Sequence, residues 1–140
     1  MILLDTNVVS EPMKPAPEPS VLAWLDAQPI ETLHMPAPGL AEMLTGIERL
    51  PHGKRRRRLE EIADRIQSDL IGPRILHFDR PAAIRHSELM IVAERKGIVL
   101  TFADCQIAAI ASVHGLAVAT RDTAPFLATG LKVINPWLAT

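Results

Sequence analysis

Four acidic residues stand where surface acids ordinarily do not. Asp5 follows the apolar run MILL, and Asp122 closes the segment LAVATRD. Glu42 lies in the first turns of a helical pattern among Leu40, Ala41, Met43 and Leu44. Asp104 opens an otherwise apolar, alanine-rich stretch. In open parallel sheets, ligands bind beyond the carboxyl ends of the strands, where helices also begin. A fold of that kind brings all four acids to one edge. Carboxylates crowded together repel unless something neutralises them. Hard divalent cations such as Mg2+ or Mn2+ do so with oxygen ligands alone. One or two such ions activate water and stabilise a phosphoryl-transfer transition state, so the expected chemistry is metal-dependent phosphodiester hydrolysis.

Each acid also has a plainer reading. Asp5 suits a turn or a helix cap, Asp104 a helix dipole, and Asp122 the cap of a short helix near Pro125. Glu42 suits a solvated helix face. Four separate coincidences at one sheet edge are a weaker account than a single site.

The elements that must position these residues are legible in the apolar pattern. Met1 to Leu4 reads as a strand, Met13 to Ser20 as a proline-rich loop, and Ser20 as the cap of a helix carrying Val21, Leu22, Trp24 and Leu25. A second strand spans Thr32 to Met35 and stops at the prolines. A helix follows from about Gly39, with Met43, Leu44, Ile47 and Leu50 at helical spacing. After a turn at Pro51 to Gly53, helix resumes from Lys54, its stripe running through Leu59, Ala63, Ile66 and Leu70. Arg74 to Phe78 reads as a third strand, with His77 on it. Asp79 caps a helix ending at Gly97, and Thr101 precedes one ending at Gly115. Leu116 to Ala119 and Lys132 to Ile134 read as the last strands. Strands alternating with helices predict a three-layer α/β/α domain with a central parallel sheet, one domain over residues 1–140.

Composition narrows the rest. Of 140 residues, 48% are hydrophobic and 22% charged, as in ordinary globular chains. The net charge of −1 argues against a uniformly basic nucleic-acid binder and leaves contact to local patches. Lys54 to Arg58 is such a patch for an RNA backbone, or else a solvated helix face or partner contact. Arg121, beside Asp122, suits a phosphate better. Cys105, the single cysteine, allows no internal disulfide and fits a reducing cytoplasm. No leader or membrane-spanning run is visible. The five histidines show no ligand spacing, so no zinc-type cage is expected.

The segments MILLDTNVVSEP, LAEMLTGIERLP, FADCQIAAIASVHGLAVATRD and VINPW resemble the PIN-domain toxins of the VapC and FitB kind. The likeness runs almost end to end and is weakest over Lys54 to Leu70. It implies a Mg2+- or Mn2+-dependent endoribonuclease, homodimeric, bound by a cognate antitoxin and joined with it and operator DNA in a larger complex. By motif, Asp5, Glu42, Asp104 and Asp122 are the implied catalytic acids, with Asp5, Asp104 and Asp122 as direct metal ligands. Thr6, Asn7 and Thr120 match the polar neighbours of the site. Where such toxins carry Ser and Thr before Leu-Ala-Glu, this chain has Pro36 and Gly39. Phe102 and Cys105 flank Asp104 where smaller residues are common.

Two rivals remain to be weighed. An aspartyl-phosphate phosphatase places a nucleophilic Asp after the first strand, but wants a second Asp two residues on, where this chain has Asn7. A weakly active or non-catalytic PIN-fold module, using its groove for a protein partner, would tolerate amides in place of the acids; all four acids are present.

Overall fold

The computed structural model describes residues 1–139. Five short strands form one parallel sheet: β1 (Ile2–Leu4), β2 (Leu33–Pro36), β3 (Ile75–Leu76), β4 (Ala117–Ala119) and β5 (Val133–Ile134). Their order is β3-β2-β1-β4-β5. The chain builds outward from β1 to β3 and then returns to place β4 against β1, in register from Ile2 and Ala117 to Leu4 and Ala119. The strand order therefore reverses between β1 and β4, the point at which such sheets open a crevice.

The pleat splits the strand side chains between two cores. Ile2 and Leu4 join one, with Met35, Met43, Leu59 and Ala63. Leu3 and Val118 join the other, with Leu89, Ile107, Ile110 and Phe126. Helices α1 (Thr6–Ser10), α2 (Pro19–Asp26), α3 (Ala37–Glu48) and α4 (Lys54–Arg65) supply the first core. Helices α5 (Arg80–Arg95), α6 (Phe102–His114) and α7 (Thr123–Leu127) supply the second. The expected three-layer α/β/α arrangement with a parallel sheet is the observed one.

Several local expectations needed correction. The five-residue α1 turns directly out of β1, and Asp5 caps it by accepting the Thr6 N–H, the plainer reading that the sequence allowed it. A 3-10 turn covers Glu11–Met13, and α2 opens at Pro19 rather than at a Ser20 cap. Proline at the first helical position lacks an N–H that would have gone unpaired anyway. Ser20 instead donates its hydroxyl to the Trp137 carbonyl. The helical stripe expected to reach Leu70 ends as α-helix at Arg65, and Ile66–Leu70 widens into a π-turn closed by the Ile71 N–H on the Ile66 carbonyl. The third strand is only two residues long, which leaves His77 exposed beyond it. Gly115 does stop α6, in the left-handed conformation at φ 65° that glycine adopts without strain.

Candidate active site

Asp5 is the centre of the reversal edge. Its backbone N–H extends the sheet ladder to the Ala119 carbonyl at 3.0 Å, which fixes the residue just beyond both β1 and β4. Its side chain is buried, at 7% exposure. Oδ1 accepts the Thr6 N–H at 2.8 Å. Oδ2 accepts the Thr120 hydroxyl at 2.8 Å and the Asn7 amide at 3.5 Å. The wholly buried Thr120 Oγ1 in turn accepts from the Asp122 N–H at 3.1 Å and from Asn7 at 3.4 Å. Asn7 also accepts the Arg121 N–H on Oδ1, at 3.3 Å. Thr120, Arg121 and Asp122 are thus tied to the loop that carries Asp5.

Thr6 links the other side. Its hydroxyl donates to Glu42 Oε2 at 3.0 Å and lies 3.4 Å from the Gly39 carbonyl. The departure at Gly39 has a steric reason here. A Cβ on Gly39 would come within 3.1 Å of Thr6 Oγ1 and 3.2 Å of the Pro36 ring. Glycine at this point lets α1 approach α3, and Thr6 reach Glu42. As expected, α3 starts without a side-chain cap, after Pro36.

Asp104 lies in the first turn of α6, where Thr101 accepts its N–H at 3.1 Å. Asp122 precedes α7 without capping it, so its carboxylate is not spent on the helix end.

Charge shows how the acids are grouped. The Asp5 carboxyl is raised above its ordinary value, chiefly by burial; hydrogen bonds from Thr120 and Thr6 oppose this, and the charges of Asp104 and Glu42 add to it. Asp104 is also raised, first by burial and then by Asp122, while Thr101 pulls the other way. Asp5 thus feels Glu42 and Asp104, and Asp104 feels Asp122, which links the four acids in a series. Among the described residues, however, no three acid, His or Cys side chains form a ready-made metal cage. The donors are hard oxygens, and the surplus of like charge is what a divalent cation relieves, so the residues suit Mg2+ or Mn2+ chemically.

The raised carboxyls predict a pH effect. A carboxyl raised in the folded chain favours the fold at low pH, and that contribution is lost as pH rises through the raised value. In metal-free buffer, Asp104→Asn should therefore melt higher than the parent near pH 7, with the difference shrinking as pH falls toward the ordinary carboxyl value of 3.8. Thermal melts of both proteins across that range check it. A constant difference would show that Asp104 is not held in a crowded, buried state.

Other residues resolve more plainly. Arg56 within the basic run is spent on structure, pairing with Glu48 at 3.0 Å and Glu60 at 3.1 Å. Its neighbours Lys54, Arg55, Arg57 and Arg58 are exposed. Arg55 and Lys14 stand with Thr6 and Glu42 around a groove of about 260 Å3. Cys105 is buried, its thiol pushed up to about 11, so it is no nucleophile at neutral pH. The residue that sequence reasoning missed is Glu11, buried at 4% exposure and paired with Lys14 at 2.8 Å. Its i,i+3 spacing to Lys14 was the available signal.

Comparison with known proteins gives one consistent picture. Residues 2–130 match the family model described as PIN domain. The chain is similar to the VapC ribonuclease Y4jK of Sinorhizobium fredii, 47% identical over 137 residues and covering 98% of each chain. It is similar also to the toxin FitB of Neisseria gonorrhoeae, 42% identical over 137 residues, 98% of this chain and 99% of that one. Among solved structures, that of FitAB bound to an IR36 DNA fragment superposes with a TM-score of 0.95 at 41% identity, covering 100% of this chain and 98% of the other.

Proposed function

This chain belongs to the PIN-domain family, among the VapC and FitB toxins, and on that premise we propose that it is a metal-dependent endoribonuclease. The observation that carries the reading is the buried Asp5 carboxylate at the β1/β4 edge, bonded to Thr6, Asn7 and Thr120, with Glu42 tied to it through Thr6 and Asp122 through Thr120. The inert Cys105 offers no competing nucleophile.

Asp5, Asp104 and Asp122 would hold Mg2+ or Mn2+, with Glu42 acting through a water. A cation bound there supplies Lewis acidity toward water and offsets charge on the phosphoryl oxygens. The rest of the work falls to the chain's own groups. Thr120 and Asn7 hold the Asp5 carboxylate in one orientation from one side, and the Thr6 N–H holds it from the other. Thr6 commits Glu42 Oε2, leaving Oε1 to take a proton from the attacking water. Attack on phosphorus with departure of the 3′-oxygen leaves a 5′-phosphate on the downstream fragment.

By the same reading a cognate antitoxin covers the acid site, and the pair joins operator DNA; the DNA-bound FitAB structure supports this. A homodimer is supported by the exposed Ile84, Ile91 and Val92 of α5 and Val113 of α6, apolar side chains that a second copy would cover. No helix of the described residues is long and apolar enough to cross a membrane. The unpaired Cys105 supports a cytoplasmic setting.

The test is to incubate the purified chain, free of partner, with mixed cellular RNA in Mg2+, Mn2+ or chelator. Cutting should occur with either ion, vanish in EDTA and return when ion is added in excess. Cutting that persists in saturating chelator sinks the mechanism. A folded chain that cuts nothing under any condition supports a binding module instead.

A further inference from the structure

Arg121 is exposed and lies at an edge rich in carboxylates, yet among the described residues it makes no ion pair within 4 Å. Its only hydrogen bond there is through the backbone, to Asn7. The guanidinium instead sits over the Trp137 ring, 5.3 Å from the centroid. A ring under the cation attracts its charge without taking up any of its N–H groups, the groups that grip a phosphate in bidentate fashion.

The platform is itself anchored. The Trp137 N–H donates to Asn135 Oδ1 at 3.0 Å, and its carbonyl accepts the Ser20 hydroxyl at 3.4 Å. The ring packs against the first core. A second carboxylate helps to set the local field. Glu11 is held below its ordinary value chiefly by Lys14, and Arg121 adds a smaller pull without pairing to it. The cation thus rests on an aromatic ring and is not neutralised by a contact with a carboxylate. An arginine that served only to balance the site acids would be expected to touch one.

Building on the ribonuclease reading, we propose that Arg121 binds a backbone phosphate of the RNA next to the one cleaved, and that Trp137 is the positioning residue that holds it there. The substrate class follows: a phosphodiester chain that lies across the β4 side of the acid site, gripped there at its backbone.

The test separates binding from cleavage. Binding of a short, fluorescein-labelled single-stranded RNA is measured by anisotropy on the full chain carrying Asp5→Asn, in chelator, over a range of salt. Adding Arg121→Ala should weaken binding about 10-fold and lower the salt slope by about 0.7, the share of one phosphate contact on a single strand. Arg121→Lys should recover only part of the affinity, because it restores charge without the planar fork. Trp137→Phe, which keeps a ring, should bind nearly as the parent does, whereas Trp137→Leu should behave like Arg121→Ala. In cleavage by otherwise native chains, the Arg121 and Trp137 variants should raise KM with kcat changed by less than about threefold. Thermal melts establish that each variant folds. Folded Arg121→Ala with unchanged affinity and salt slope overturns the proposal, as does an Asp5→Asn parent that binds no RNA. Trp137→Leu binding as the parent does removes the positioning role. If the native chain cuts no RNA but Arg121→Ala still loses binding and slope, the catalytic reading fails and the phosphate site stands.

Discussion

Asp5→Asn should lower kcat/KM for RNA by about 1000-fold or more while leaving the metal-free chain within about 1 kcal/mol of the parent in stability. The two effects separate because Asp5 has two jobs. As a candidate ligand it supplies negative charge, which an amide cannot. As a structural residue it accepts the Thr6 N–H and the Thr120 hydroxyl. An asparagine Oδ1 still accepts from Thr6. Its amide faces Thr120 Oγ1, whose two acceptor sites already take the Asp122 N–H and the Asn7 amide, so the bonds from Thr120 and Asn7 to this oxygen are lost. Against that loss stands the removal of a buried carboxylate whose ionisation is opposed by burial and by the charges of Asp104 and Glu42. The two contributions are similar in size and opposite in sign. Cleavage assays in Mg2+ and melts in chelator read them independently. Near-native cleavage would remove Asp5 from the reaction; a melting temperature lower by more than about 10 °C would make it chiefly a structural residue.

Phe126→Ala should cost about 3–5 kcal/mol of folding free energy, the usual range for emptying a fully buried aromatic site. Phe126 is wholly inaccessible and is among the largest fully buried side chains. It anchors α7 into the second core, and α7 begins immediately after Asp122. Loss of the ring therefore loosens the segment that holds one of the four acids. Activity should fall further than the unfolded fraction alone explains. Phe126→Leu, which keeps most of the volume, should cost less than about 1.5 kcal/mol and retain most activity. Urea unfolding of the three proteins measures the stability series. A cost under about 1 kcal/mol for alanine would mean that the core closes over the gap, contrary to the packing seen.

The four acids were legible in the sequence because each is marked by local patterning. Three-residue apolar strands buried on both faces, with a polar residue immediately after, mark strand ends whatever the rest of the chain does. Thr101 before Asp104 and Gly115 after α6 are signals of the same local kind, as were the helix spacing around Glu42 and the alternation that predicted a parallel sheet. Shorter elements left weaker marks. The five residues of α1 make barely more than one turn, too few for a periodicity, and the two-residue β3 and the π-turn at Ile66–Leu70 are set by what packs against them.

What only the tertiary structure decided is how the acids are held. The bonds from Thr120 to Asp5 and from Asn7 to Thr120 span 115 and 113 residues, and Thr6 reaches Glu42 across 36. No local pattern encodes such pairs, because they depend on strand register and on which rotamers the packing permits. Gly39 stands in the sequence as a departure from the Ser and Thr of such toxins and in the fold as room for Thr6. Trp137 stands in the sequence only as part of VINPW and in the fold lies beneath Arg121. Sequence placed the charges at one edge through local periodicity; the reversal of strand order between β1 and β4 set their distances and their partners, because only there do two segments more than a hundred residues apart share one hydrogen-bonded ladder.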